Sequence, residues 1–382
     1  MKASSDPRLD RTFLDAHGFD AARFDREVEL IRSGQLTKES SIISQPIEPV
    51  EAVSVAERTE AVRQAGKEAL SRGEVAVVVL NGGMATRFGG VVKGVVEVFD
   101  GKSFIALKAE DVRRKSERYG KSIPLVLMNS FATRAATREH IDGQGGFGLE
   151  SDQILSFEQT VSVRLTPEGE LFIGDDGKPS YHAPGHGDFF PCIRTSGVLG
   201  QLDKRNIKHV LFSNVDNLGA TLDPVPIGHH VLSGASMTVE VTEKRKNASG
   251  KWDKGGAPAK VAGFTQIIEG FRFPPDFAQE SLPDFSTNTF HFRLEALSQK
   301  VELPRHVVEK TVDGRPALQL ESIACEASGL KDASGAHSFP LHLLRVSRDD
   351  AHGRFFPVKE PKDLEDARLT LKTRLEDEWS RD

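Results

Sequence analysis

The apolar positions of the chain fall first into helical spacing and then into short continuous runs. Phe13, Leu14, Phe24, Val28, Leu30 and Ile31 recur loosely as one helix face, so residues 1 to about 50 read as a helical preface punctuated by Pro46 and Pro49. A second helical stretch carries Val53, Ala56, Val62, Ala65, Ala69 and Leu70 and ends at Gly73. The pattern then changes. Val75 to Leu80 is an unbroken, valine-rich run, as in a strand buried on both faces. Pro124 to Met128 and His209 to Phe212 repeat it, and helical patterns at 103–119, 132–140 and 190–204 separate the runs. This alternation predicts an α/β fold with a mainly parallel sheet, whose ligands lie beyond the carboxyl ends of the strands. Residues 235–242, 261–269 and 285–292 also read as strands, 243–260 as a long polar loop, and the tail from about 361 as a charged helix.

Composition narrows the class. The chain has 382 residues and a formal charge of -6, from 50 basic and 56 acidic side chains. Such a balance gives no general attraction to nucleic acid or anionic membrane, so any phosphate binding must come from locally placed cations and backbone N–H groups. Cys192 and Cys325 stand far apart and in no metal-ligand spacing, which argues against a disulfide framework and fits a reducing cytoplasm. The first ten residues, MKASSDPRLD, lack the apolar core of a signal peptide, and the run from Val75 to Leu80 is far too short to span a bilayer. The expectation is a cytoplasmic chain with neither nucleic-acid nor membrane partners.

Polar or glycine-rich loops open after each buried run, at Asn81, Asn129 and Ser213. The first reads Asn81-Gly82-Gly83-Met84-Ala85-Thr86-Arg87-Phe88-Gly89-Gly90, with Lys93 just beyond. Paired glycines let backbone N–H groups approach an anion or a base edge, and Thr86, Arg87 and Lys93 add donors for a polyphosphate. No Gly-Lys-Ser/Thr follows, so it is not a Walker loop, and the spacing is wrong for a dinucleotide fingerprint. On glycine content alone a plain strand-to-helix turn accounts for it equally well. Pro184-Gly185-His186-Gly187-Asp188 places His182 and His186 four residues apart, but Pro184 and Gly185 between them make a helical metal pair improbable. Asp216, in Ser213-Asn214-Val215-Asp216-Asn217-Leu218-Gly219-Ala220, follows a buried strand, where a carboxylate can hold Mg²⁺ against a triphosphate or simply cap a helix.

Taken in order, these blocks resemble the UDP-glucose and UDP-N-acetylglucosamine pyrophosphorylase superfamily over roughly residues 55 to 365, and Pro184 to Asp188 resembles its glucose branch. Ala85 stands where the family has a third loop Gly, and Val92-Lys93 where it usually has Pro-Lys. The resemblance implies a Rossmann-like nucleotidyltransferase (GT-A-like) fold, a mixed, mainly parallel sheet flanked by helices. It divides the chain into an N-terminal helical segment (1–72), a nucleotidyltransferase catalytic domain (73–350) and a C-terminal segment (351–382). It implies that Gly82, Gly83, Thr86, Gln159 and Gly185 bind the nucleotide, Gln159 (in Phe157-Glu158-Gln159) reading the uracil edge and Gly185 lying against the base. His186, Asn214, Gly256, Glu269 and Asn288 would bind sugar and phosphate, Asp216 would hold Mg²⁺, and Lys93, Arg87 and Lys359 would neutralise the reacting phosphates. Ser286 replaces an Asn of the family's Phe-Asn-Thr-Asn-Asn, which is expected to loosen hydroxyl recognition. The family's eukaryotic members continue into a left-handed β-helix used in oligomerisation; with the sequence ending at Asp382, none is expected, and the chain would be a monomer or small homo-oligomer. The implied reaction joins UTP and glucose 1-phosphate into UDP-glucose and pyrophosphate. The alternatives are another sugar 1-phosphate, such as N-acetylglucosamine or galactose 1-phosphate, or a nucleotide-sugar binding protein without turnover.

Overall fold

The computed structural model describes residues 2–50, 54–85, 89–246, 250, 252–253, 255–348, 352–358 and 361–380. Eight strands form its central sheet: β1 (Ser54–Val55), β2 (Val75–Leu80), β3 (Leu125–Asn129), β4 (Ile154–Glu158), β5 (His209–Asn214), β6 (Met237–Glu243), β7 (Asp284–Arg293) and β8 (Leu341–Arg345). The spatial order is β1-β8-β6-β7-β5-β2-β3-β4. Only β7 runs against its neighbours, β5 and β6; every other pairing is parallel. The mainly parallel sheet expected from the valine-rich runs is therefore present, with one reversed strand near its middle.

The two faces of the sheet carry separate cores, because successive side chains of a strand point to opposite sides. Ala76 and Val78 of β2 and Val210 and Phe212 of β5 join one apolar cluster; Val75, Val77, Val79 and Leu211 join the other. Helices cover both. Phe104–Tyr119 starts on Ser103, whose Oγ accepts the Ala106 N–H at 3.2 Å, and stops at Gly120, whose left-handed φ of 60° ends the helix. The helices Glu60–Ser71 and Pro224–Ser233 cross almost backbone to backbone: a Cβ at Gly66 would fall 1.8 Å from the Pro224 carbonyl oxygen. The terminal helix Pro361–Ser380 buries Leu364, Leu371, Leu375 and Trp379 in the second core, and Trp379 Nε1 donates to Asp111.

Three stretches differ from the reading of the pattern. The preface contains the helices Arg11–Ala16 and Ala21–Arg32, but Ile47–Pro49 is extended and pairs antiparallel with Ala257–Val261, and Ser54–Val55 forms the sheet edge. Pro46 and Pro49 deny this stretch helical hydrogen bonds and leave it free to pair as an edge. Ala257–Val261 is also a strand, although it lies in the expected loop, paired with Phe264–Ile268; the glycines before it and Pro258 within it hide the alternation. Residues 190–204 form two helices, Phe189–Thr195 and Val198–Lys204, because Gly197 turns left-handed at φ 79°. Among the described residues no helix is long and apolar enough to cross a membrane.

Candidate active site

The carboxyl ends of β2, β3, β4 and β5 lie side by side, and their loops are stitched together. The buried Asn81 Nδ2 donates to Asn129 Oδ1 at 2.7 Å and to Thr137 Oγ1 at 2.8 Å, and Ser130 Oγ donates to the Gly82 carbonyl at 2.9 Å. Gln159 follows β4; its backbone N–H donates to the Asn129 carbonyl at 2.8 Å and its Nε2 to the Gly185 carbonyl at 3.3 Å. Gly82 lies so close to this amide that a Cβ there would fall 2.9 Å from Gln159 Oε1. Gly185 has φ 90°, and a Cβ on it would meet the Ser322 carbonyl oxygen at 2.4 Å. That closeness comes from Ser322, whose N–H donates to the Pro184 carbonyl at 2.8 Å and whose carbonyl accepts from the Gly187 N–H at 2.9 Å. Asp188 accepts both the backbone N–H and the hydroxyl of Thr160, at 3.0 and 2.5 Å, so the 184–188 turn is tied directly to the residue after Gln159.

Beside this pocket, Asp216 forms an ion pair with the Lys93 ammonium. Val92 has φ −64°, the value proline imposes, so Val-Lys carries the backbone along a path that Pro-Lys would also follow. Asn288 Nδ2 donates to Asn214 Oδ1 at 2.9 Å. Asn288 holds a left-handed φ of 55° where β7 slips register against β6, and Ser286 Oγ accepts its N–H at 3.2 Å. Ser286 is therefore engaged in shaping this bulge. His186 Nδ1 accepts the Ala324 N–H at 3.1 Å, which leaves the ring proton on Nε2, and burial lowers its pKa to about 4, so the imidazole is neutral at pH 7. Next to Ala324, the Cys325 thiol donates to Glu269 Oε1 at 3.4 Å; burial raises the Glu269 pKa. A Cβ at Gly256 would fall 3.1 Å from the same oxygen.

Behind these residues stands a buried support. Lys108, from the helix Phe104–Tyr119, donates to Ser213 Oγ (3.3 Å) and to the carbonyls of Asn217 (2.7 Å) and Ala220 (2.8 Å), holding the loop that carries Asp216. Burial lowers its pKa to about 8. The Asn217 side chain donates to Thr289 Oγ1 and accepts the Phe356 N–H, linking that loop to β7 and to the 352–358 segment. Arg354 binds both oxygens of the fully buried Glu240 at 2.7 and 2.8 Å, and His291 Nε2 is 2.8 Å from Glu240 Oε1.

Gly82, Gly83, Lys93, Gln159, Gly185, His186, Asn214 and Asp216 thus line one cleft of about 370 Å³, with Glu321 on its wall. Asn288 reaches it through Asn214, while Gly256 and Glu269 form a separate pair joined to His186 through the adjacent residues 324–325. Thr86, Arg87 and Lys359 lie outside the described residues. Lys108, Asn217 and Ser322 carry no functional signal of their own in the sequence pattern, and Cys325 bears there only on disulfide and metal spacing. For Asn217 the available signal was its place inside the quoted motif, together with a side chain of two donors and an acceptor. Among the described residues no cluster of three or more His, Cys, Asp or Glu side chains fits a metal ion. A single carboxylate at Asp216 suits Mg²⁺, which takes one or two protein carboxylates and completes its shell with phosphate oxygens and water.

Residues 24–374 match the family model described as UTP–glucose-1-phosphate uridylyltransferase. The potato UTP–glucose-1-phosphate uridylyltransferase is 31% identical over 76% of the chain, which spans about 60% of that relative's length. Two Trypanosoma brucei crystal structures share the fold. A UDP-glucose phosphorylase is 23% identical, covering 94% of this chain and 77% of its own, with a TM-score of 0.76. A UDP-N-acetylglucosamine pyrophosphorylase with bound inhibitor is 20% identical, covering 97% and 80%, also at 0.76.

Proposed function

Because the chain belongs to the UTP–glucose-1-phosphate uridylyltransferase family, we propose that it transfers the uridylyl group of UTP to glucose 1-phosphate, releasing pyrophosphate. The observation that carries the reading is the convergence of the Gly82–Gly83 loop, Gln159, Gly185, His186, Asn214 and Asp216 on one cleft. In this reading a phosphate oxygen of glucose 1-phosphate attacks the α-phosphorus of UTP in line. One P–O bond forms, the bond from the α-phosphorus to the bridging oxygen breaks, and pyrophosphate leaves with that electron pair. No protein nucleophile is required, so the chain acts through positioning and charge.

The Gln159 Nε2 is anchored on the Gly185 carbonyl, which fixes the plane of the amide and aims its remaining donor and acceptor capacity at a base edge. Gly82 leaves the Gln159 amide its room, and Gly185 lets the turn that accepts this amide pack against the Ser322 backbone. Neutral His186 offers an Nε2–H donor to a sugar or phosphate oxygen without adding charge that would compete with a cation. Asn214 and Asn288, already bonded to each other, and the Glu269 carboxylate present the acceptors and donors that sugar hydroxyls need. Asp216 would hold Mg²⁺, which would supply charge neutralisation at the triphosphate, and Lys93, released from Asp216, would bind phosphate oxygens. Lys359 and Arg87 inherit the same task from the resemblance; Lys359→Ala is expected to slow turnover far more than it weakens UDP-glucose binding. The cytoplasm is the compartment this reading assigns.

The test is pyrophosphate release from purified chain with UTP, glucose 1-phosphate and Mg²⁺, with ATP, TTP and other sugar 1-phosphates in parallel. Turnover confined to UTP, and fastest with glucose 1-phosphate, is the expected result. Preference for another sugar 1-phosphate moves the substrate assignment, and UDP-glucose binding without pyrophosphate release in either direction overturns the catalytic reading.

A further inference from the structure

We propose that residues 10–18 act as a brace behind the uridine pocket, setting nucleotide affinity without touching the nucleotide. The inference rests on the functional reading above. This stretch precedes the family match, which begins at residue 24. It nonetheless packs on all three segments that build the base pocket.

The first is the segment after β4 that carries Gln159. The His17 carbonyl accepts the Val161 N–H at 3.0 Å, and the His17 ring lies 3.2 Å from a carboxylate oxygen of Glu158. Gly18 lies where a Cβ would touch the Thr160 methyl at 3.5 Å. Gln159 is thus flanked on both sides by residues that residues 17–18 contact. The second is the loop after β3. Phe13 packs edge-on against Phe131 at 5.4 Å between ring centroids, and the neighbouring Ser130 holds the Gly82 carbonyl. The third leads to Gly185. Tyr181 packs against Phe13 at 4.9 Å, and its hydroxyl accepts the Asp10 N–H at 3.1 Å, three residues before Pro184.

The brace is itself anchored at both its cap and its apolar face. Asp10 Oδ1 accepts the Phe13 N–H and caps the helix Arg11–Ala16, while Leu14 is fully buried in the apolar cluster that includes Val161 and Val163. Gln159 has to hold its amide in one plane to read a base edge, and a main-chain bond two residues away limits how far that strand end can swing. Residues 10–18 are therefore a positioning element, and its loss is expected in nucleotide affinity rather than in the phosphate chemistry near Asp216.

The test uses the full chain carrying Phe13→Ala and His17→Ala together, with His17→Ala alone as the milder variant. UDP-glucose affinity is measured by calorimetry, and KM and kcat by pyrophosphate release. The expected result is an affinity for UDP-glucose and a KM for UTP weakened about tenfold in the double variant, with kcat within threefold and the KM for glucose 1-phosphate unchanged. Ile31→Ala, in the same apolar cluster but away from the pocket, is the control: it should lower Tm while leaving nucleotide affinity unchanged. Unaltered nucleotide affinity in the folded double variant, or an equal shift in Ile31→Ala, overturns the brace alone. A wild-type chain that binds no uridine nucleotide overturns the functional reading and the brace with it.

Discussion

Removing the Glu240 carboxylate is expected to be among the costliest single changes in this chain. Glu240 is fully buried in β6, and Arg354, itself buried, grips both its oxygens. Glu240→Ala strands that guanidinium in the core, and loss of one partner from a buried ion pair costs about 3–5 kcal/mol. Titration gives the same scale. Burial alone would raise the Glu240 pKa, but the Arg354 charge and the bonds from His291 and Arg354 outweigh it and hold the pKa at about 2, against an ordinary 4.5. A carboxylate depressed on folding contributes stability that is complete above its unfolded value and lost as pH falls through 4.5 toward 2. The size is about 3 kcal/mol. The assay is urea unfolding at pH 7 of the wild type, Glu240→Ala, and the double variant Glu240→Leu with Arg354→Met. The single variant should lose several kcal/mol, and the double should regain most of it, because neither charge is then left unpaired. A single variant within 1 kcal/mol of wild type, or a double variant no better than the single, would refute the reasoning.

Gly82→Ala pushes a methyl to 2.9 Å from Gln159 Oε1, so the amide must tilt; the KM for UTP should rise about tenfold while that for glucose 1-phosphate stays put, as steady-state kinetics would report. Asp216→Asn should cut kcat by roughly 10²–10³ yet leave UDP-glucose binding in EDTA nearly intact, and retained turnover would remove Asp216 from the mechanism. Burial lowers His182 to about 3 and His186 and His209 to about 4, all beneath the ordinary 6.5. The unfolded chain then binds more protons below pH 6.5, so Tm should be flat above that value and fall steadily toward pH 4, and a Tm rising on acidification would contradict the burial of these rings.

The buried parallel strands, most of the helices between them and the loops at their ends were legible because each follows from local pattern. A valine-rich run marks a doubly buried strand, and the residues just after it are carried to one edge of the sheet. The support was not legible, because it depends on partners remote in sequence. Ser322 shapes the Gly185 turn through Pro184, 138 residues away. Lys108 stands in a helix whose charged residues look solvated, yet Lys108, Glu110, Asp111 and Lys115 are all buried. Nothing in helical periodicity distinguishes a lysine facing water from one satisfied by two carbonyls and a hydroxyl. Cys325 invited only a disulfide argument, whereas its thiol meets Glu269. The Ser286 hydroxyl also accepts the Asn288 N–H within the bulge, a contact that depends on the register slip between β6 and β7 and leaves no mark in the sequence pattern.

The single reversed strand divides the labour of the cleft. The parallel strands deliver their finishing ends to it, whereas β7 delivers its beginning, so Asn288 arrives on a strand already paired on both sides. Under the proposed function, saccharide choice would be retuned by altering a few residues in the first half of β7, while the loops after β2, β3 and β4 that line the proposed base pocket would be left untouched.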